Sequence, residues 1–267
     1  MTWSDELRRI KVLNNLLSGK NVLVTGAGGT IGRSIAIEMA KQGARILFTE
    51  IDKAKCESLE KELHKYHPTS HGFLSDIAST QDINGLLASL SKDRVTIDIL
   101  VNNVGIDIDA TIKKLDLDEW RRVYNTNVFG PLDLTKHISQ MMIDNQIHGS
   151  IIFITSIHQW IVRRSASYSS SKAALGMIVK ELALELAPYK IRINGIAPGY
   201  VKEDKDGKPI PHQYTPLYNS SINPCFIGRA AVYLASDFFS QYTTGTVIKI
   251  DAGLSLYNHL LGQIPLK

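Results

Sequence analysis

Cysteine is scarce: the 267 residues hold only two, Cys56 and Cys225, and neither sits in a C-x-x-C pair or a Cys/His cluster. That argues against a disulfide scaffold and leaves reduced thiols in a cytoplasmic protein as the simplest reading. No residues are assigned to a metal. No apolar run approaches the length that spans a bilayer, so no membrane partner is expected. The start, MTWSDELRRIKVLNNLL, lacks a basic stretch followed by an unbroken apolar run, so no secretory leader is expected there. The charge excess is small, +4 from 30 basic and 26 acidic side chains, and it is scattered. Nucleic-acid binders carry a basic stripe, and none stands out. Internal repeats, low-complexity tracts and a linker that would divide the chain are also missing.

What is present is a large apolar fraction, 44% of the residues, which permits a substantial core. It is concentrated in short runs: NVLVT (21–25), ARILFTE (44–50), HGFLSD (71–76), DILVNNV (98–104), SIIFITS (150–156), IRINGIA (191–197) and TVIKID (246–251). Most are continuous rather than alternating, the pattern of strands buried on both faces of a parallel sheet. Helical patterns lie between them. One is STQDINGLLASLSK, where Ser79 and Asp82 make a capping box. Another is SKAALGMIVKELALELA, with Leu175, Ile178, Val179, Leu182 and Leu186 on one stripe. Strand alternating with helix predicts an α/β fold: a Rossmann-type, doubly wound parallel sheet of about seven strands in a single domain over 17–267. Residues 1–16 have apolar positions at helical spacing and are expected to form a helical extension. Residues 200–226, YVKEDKDGKPIPHQYTPLYNSSINPCF, are long and polar and follow the sixth strand, so a substrate-binding lid is expected there.

The first strand runs into TGAGGTIG and then a helix. Glycines at such a turn let backbone N–H groups approach an anion at the helix N-terminus. A strict G-x-G-x-x-G frame from Gly26 fails at Ile31, whereas Gly26, Gly29 and Gly32 fit a looser spacing. The second strand ends in TEID, and Glu50 lies where an acid meets a ribose diol. A carboxylate there accepts from both hydroxyls and repels a 2′-phosphate, which favours NAD over NADP.

The stretch YSSSK puts a phenol and an ammonium four residues apart. One helical turn brings Tyr168 and Lys172 to the same face. A free phenol titrates too high to act as a base at neutral pH, and a neighbouring ammonium is expected to lower it. The pair would then be a tunable proton donor and acceptor.

Taken in order, these motifs resemble the short-chain dehydrogenase/reductase family over roughly residues 17 to 257, with a variant glycine turn. The resemblance implies a catalytic set of Asn127 in NTNVFG, Ser156 in ITS, Tyr168 and Lys172. It implies cofactor contacts from Gly26, Gly29, Thr30, Ile31 and Gly32 at the turn and from Glu50. Asp76 and Ile77 would lie by the adenine, as would Asn103 and Gly105 of NNVG. Tyr168 and Lys172 would reach the nicotinamide end with Pro198, Gly199 and Val201 of APGYV. Ser156, His158 and Arg164 are the substrate candidates, and Arg163 could attract an acid group as well. The lid adds Lys202, Lys205, Lys208, His212, Tyr214 and Tyr218. That mix suits a polar small-molecule substrate: a polyol, sugar or hydroxy acid interconverted with its ketone by NAD. The alternatives are an NADPH-dependent ketone reductase and a non-catalytic dinucleotide sensor. A homo-oligomer, dimer or tetramer, is also implied, with the helix of Tyr168 at an interface.

Overall fold

The computed structural model describes residues 14–108 and 112–256. Most of the expected 1–16 extension therefore lies outside the described residues. Each apolar run becomes a strand: β1 (Asn21–Thr25), β2 (Arg45–Glu50), β3 (His71–Leu74), β4 (Ile99–Asn102), β5 (Ser150–Ile154), β6 (Arg192–Pro198) and β7 (Val247–Ile250). They form one parallel sheet in the order β3-β2-β1-β4-β5-β6-β7. Val22, Leu23 and Val24 of β1 are fully buried, as a strand covered on both faces must be.

Helices cover both faces. On one side α1 (Thr30–Lys41), α2 (Lys53–Leu63) and α7 (Cys225–Ala235) bury Ile35, Met39, Leu59, Ile227 and Leu234 against Val22, Val24 and Phe48. On the other, α3 (Thr80–Lys92), α5 (Gly130–Asp144) and α6 (Ala166–Leu186) bury Leu86, Leu134, Ile138, Leu175 and Val179 against Leu23, Leu100 and Ile151. Within the stripe predicted on α6, Leu175, Val179 and Leu186 are buried, while Ile178 and Leu182 are partly buried against them. The predicted cap of α3 forms too: Asp82 N donates to Ser79 Oγ at 3.2 Å, and that hydroxyl donates to Asp82 Oδ1 at 3.0 Å.

Strand ends differ from the sequence pattern where polar side chains capture the backbone. β3 stops at Leu74 instead of 76, and Asp76 Oδ1 accepts from Ala78 N at 2.9 Å, which starts a turn. β4 stops at Asn102, because the amides of Asn103 and Val104 turn to the Thr25 hydroxyl at 2.9 and 3.2 Å. The pattern alone assigns no helix to α4 (Leu117–Tyr124), which buries only Val123 and so carries little apolar signal. A turn of π-helix at Asn125–Phe129 joins α4 to α5. The short α8 (Asp237–Ser240) follows α7.

This topology fixes the site. After β3 the chain crosses back past β1 to form β4, so connections leave β1 and β4 in opposite directions and open a crevice at their carboxyl ends.

Candidate active site

The crevice is a continuous cleft of two cavities, about 640 Å3 and about 810 Å3, which share Ile31, Asn103, Gly105 and Val201. The smaller lies over the turn from β1 into α1. Gly26 sits at φ 61°, in the left-handed region that favours glycine. A Cβ on Gly32 would come within 2.5 Å of both the Gly26 carbonyl and Asn103 Nδ2. Asn103 explains that crowding: its side-chain amide donates to the carbonyls of Thr25 and Gly26 at 2.9 and 3.1 Å. The NNVG turn therefore clamps the glycine turn directly.

Glu50 closes the far end of this cavity. It is buried, and its Oε2 accepts from Gly28 N at 2.8 Å while Oε1 accepts from Ile51 N and Asp52 N at 3.0 and 3.1 Å. The wall beside it includes Asp76, Ile77, Gly29, Thr30 and Lys55. Arg122, brought in by α4, also lines it. Lys55 and Arg122 have no motif to announce them; only the packing of α2 and α4 brings them there.

The larger cavity is lined by Ser156, His158, Tyr168, Lys172, Pro198 and Gly199. Ser156 is the buried residue that caps a 3-10 turn at Ile157–Gln159, where His158 N donates to its Oγ at 3.2 Å. Tyr168 and Lys172 sit one turn apart on α6, with Lys172 Nζ 5.7 Å from the Tyr168 ring centroid. Lys172 is buried, and its Nζ donates to the Ile154 carbonyl at 3.0 Å. Burial lowers its pKa to about 8.

The phenol departs from the expectation set by the four-residue spacing. Burial pushes the Tyr168 pKa up; a hydrogen bond with Ser156 and then the Arg163 charge pull it down. The guanidinium Cζ of Arg163 stands 5.4 Å from the ring centroid. In a dry wall, desolvation of the phenolate outweighs its neighbours.

Asn127 lines neither cavity and works behind them. It occupies the π-helical turn, is fully buried, and donates from Nδ2 to the Ile106 carbonyl at 2.9 Å and to Ser171 Oγ at 3.0 Å. Its Oδ1 accepts from Ile106 N at 2.8 Å. It thus ties the segment after β4 to α6.

Of the two adjacent arginines, Arg163 lines the larger cavity and Arg164 does not. Arg164 is exposed, with its backbone in the left-handed region at φ 66°. The lid divides likewise. His212 and Tyr214 line the cavity, while Lys202, Lys205 and Lys208 are exposed and lie outside it. Tyr200, stacked on His212 with ring centroids 4.3 Å apart, and Leu254 complete the wall. The sequence carries no local signal for Leu254, which arrives from beyond β7.

These residues suit a dinucleotide. A glycine turn free of side chains opens a helix at one end, a buried acid lies beyond it, and a buried ammonium stands near a phenol at the other. Comparison with known proteins decides the family. Residues 20–212 match the family model for short chain dehydrogenases.

The chain belongs to the short-chain dehydrogenase/reductase family.

As a member it is an oxidoreductase, and the family binds NAD or NADP. Its relatives include a glucose 1-dehydrogenase of Gluconobacter oxydans, 34% identical over 90% of this chain and 93% of the other. A 3-oxoacyl-[acyl-carrier-protein] reductase of Thermotoga maritima is 31% identical over 89% and 98%. Among solved structures, a gluconate 5-dehydrogenase of Burkholderia cenocepacia in complex with NADP and tartrate superposes with a TM-score of 0.81 at 26% identity, over 92% and 100% of the two chains. No helix among the described residues of this short-chain dehydrogenase is long and apolar enough to cross a membrane.

Proposed function

We propose that the protein is an NAD-dependent oxidoreductase that interconverts a polar secondary alcohol, a polyol, sugar or hydroxy acid, with its ketone. The observation that carries this reading is the meeting of Ser156, Tyr168 and Lys172 in one cavity that opens onto the glycine turn. NAD, held along the glycine turn, would supply the hydride acceptor, and the O–H proton of the carbinol would pass to Tyr168, which balances to the ketone and NADH.

The chain's own residues do the rest. Ser156 holds the substrate oxygen beside the phenol. Tyr168 takes the proton in oxidation and returns it in reduction. Lys172 provides a buried positive charge beside the ring and would hold the cofactor ribose. Asn127 fixes the spacing between the segment after β4 and α6, so Lys172 keeps its position. Gly26, Gly29, Thr30, Ile31 and Gly32 would hold the pyrophosphate, Asp76, Ile77, Asn103 and Gly105 the adenine side, and Pro198, Gly199 and Val201 the nicotinamide end.

The choice of NAD rests on Glu50. Three backbone amides hold its carboxylate in place, so it meets a ribose diol without reorganising and opposes a 2′-phosphate. Lys55, in the same wall, is the residue that favours the second reading, an NADPH-dependent reductase, as does the NADP bound by the gluconate 5-dehydrogenase. The names of the glucose and gluconate dehydrogenases support a polar, hydroxylated substrate. The outer face of α6, where Met177 and Leu184 are exposed, supports a homo-oligomer.

Replacing Tyr168 by Phe tests the mechanism. Turnover of the best alcohol in a broad panel should fall by about 10²–10⁴-fold. NADH binding, read by fluorescence titration, should stay within a few-fold. A wild-type rate in Tyr168→Phe would overturn the assignment.

A further inference from the structure

The acids of the cleft lie at one end. The cavity over the glycine turn holds Glu50 and Asp76 together with Lys55 and Arg122. The cavity around Ser156 holds His158, Arg163, Lys172 and His212, and among the described residues no aspartate or glutamate lines it. Lys172 is buried beneath the phenol and serves the mechanism. The other three have no part in proton transfer.

Arg163 is built into its place. Its guanidinium pairs with Asp107 Oδ2 at 2.8 Å, and the other oxygen of Asp107 accepts from Ser165 Oγ at 2.8 Å. Asp107 therefore aims the arginine. A guanidinium has five N–H donors in one plane, and a single carboxylate oxygen leaves most of them free to meet an anion. The paired group is neutral as a whole, yet an incoming carboxylate at its open edge gains charge-assisted, in-plane hydrogen bonds that a hydroxyl cannot match. The Cζ lies 5.4 Å from the Tyr168 centroid, so the anion would sit within a few bonds of the reacting carbon.

His158 reads a different group. Its Nδ1 lies 3.4 Å from the Ile161 carbonyl, which can only accept, so Nδ1 carries the hydrogen and Nε2 is left as an acceptor. Burial first, and then the Arg163 charge, lower its pKa and keep it neutral. A neutral acceptor suits a substrate hydroxyl. His212, stacked on Tyr200 and bonded through Nδ1 to Thr215 Oγ1 at 2.6 Å, is a fixed polar wall on the lid side.

We infer that the substrate is a hydroxy acid: its carboxylate lies on Arg163, a neighbouring hydroxyl on His158, and the carbinol between Ser156 and Tyr168. This rests on the dehydrogenase reading above and narrows it to one substrate class; the bond changes are those already given.

The test uses matched series of four- to six-carbon compounds. Each skeleton is offered with NAD as the neutral polyol, as the aldonate and as the phosphate ester of the polyol. Wild-type kcat/KM should favour the aldonate over its polyol by roughly tenfold or more. In Arg163→Met that ratio should fall towards one, chiefly through KM. Arg163→Lys, which keeps the charge but loses the fork, should fall between and guards against a misfolded first variant. Arg164→Met, outside the cavity, should keep the wild-type ratio. Calorimetry of glutarate, a dicarboxylate that cannot be oxidised, into the NADH-loaded enzyme gives a readout free of turnover. Its affinity should drop roughly tenfold in Arg163→Met.

A wild-type preference for the polyol or the phosphate ester would overturn the carboxylate site while leaving the dehydrogenase reading intact. So would an Arg163→Met variant with unchanged ratio and unchanged glutarate affinity. If the whole panel were silent while glutarate bound through Arg163, the polar-alcohol reading would fail and the hydroxy-acid assignment with it, leaving a carboxylate contact alone.

Discussion

The Nζ of Lys172 stands 5.7 Å from the Tyr168 ring centroid, close enough for the two groups to feel each other, yet it donates to the Ile154 carbonyl rather than to the ring's hydroxyl. The ammonium is fully buried, and the fold holds its pKa near about 8 against an ordinary 10.5. Burying this charge costs stability, and the cost has a pH signature.

Between about 8 and 10.5 the unfolded chain binds more protons at Lys172 than the folded one. Stability therefore rises with pH across that window, and the penalty is fully present below it. Its size is on the order of 3 kcal/mol. Lys172→Met should be inactive yet melt a few degrees higher than wild type at pH 7. The advantage should shrink steadily towards pH 10.5. Thermal melts across the range check this; a variant less stable than wild type at pH 7, or a difference independent of pH, would contradict it.

Glu50 carries both the cofactor choice and part of the turn. Glu50→Gln keeps an acceptor for the Gly28 amide and loses the charge, so NAD over NADP selectivity in kcat/KM should narrow by roughly tenfold. Glu50→Ala should narrow it too, and should also cost about 2 kcal/mol because three amides lose their acceptor. Steady-state kinetics with both cofactors and denaturant melts separate the two effects. Unchanged selectivity in Glu50→Gln would remove the ground for preferring NAD.

The outer face of α6 offers Leu184, 78% exposed, and Met177, 55% exposed, one side of a helix whose other side is core. Apolar side chains paired this way on a long helix suit a second copy of the chain. Leu184→Glu should shift the protein to monomer in light scattering. A wild-type monomer, or an assembly unmoved by the charge, would rule this face out.

The sequence by itself determined the sheet, because strands buried on both faces must be continuous apolar runs, and Val22 to Val24 or Ile151 to Phe153 have no other reading beside their helical neighbours. It also put Tyr168 and Lys172 on one helix face by spacing, while Ser156 entered through the resemblance to the family and meets them only in the folded cavity. Helix α4 escaped it because a helix that buries only Val123 leaves no apolar period to read. The acidity of Tyr168 escaped it as well: spacing records that a lysine is near, but only packing records how much water the phenolate loses. Tertiary structure also separated Arg163 from Arg164: Arg163 lines the cavity and pairs with a residue more than fifty positions away, while its neighbour in the chain does not line it. Local periodicity encodes what chain neighbours do to each other; desolvation and the direction of an isolated charge depend on what distant segments bring to the same place.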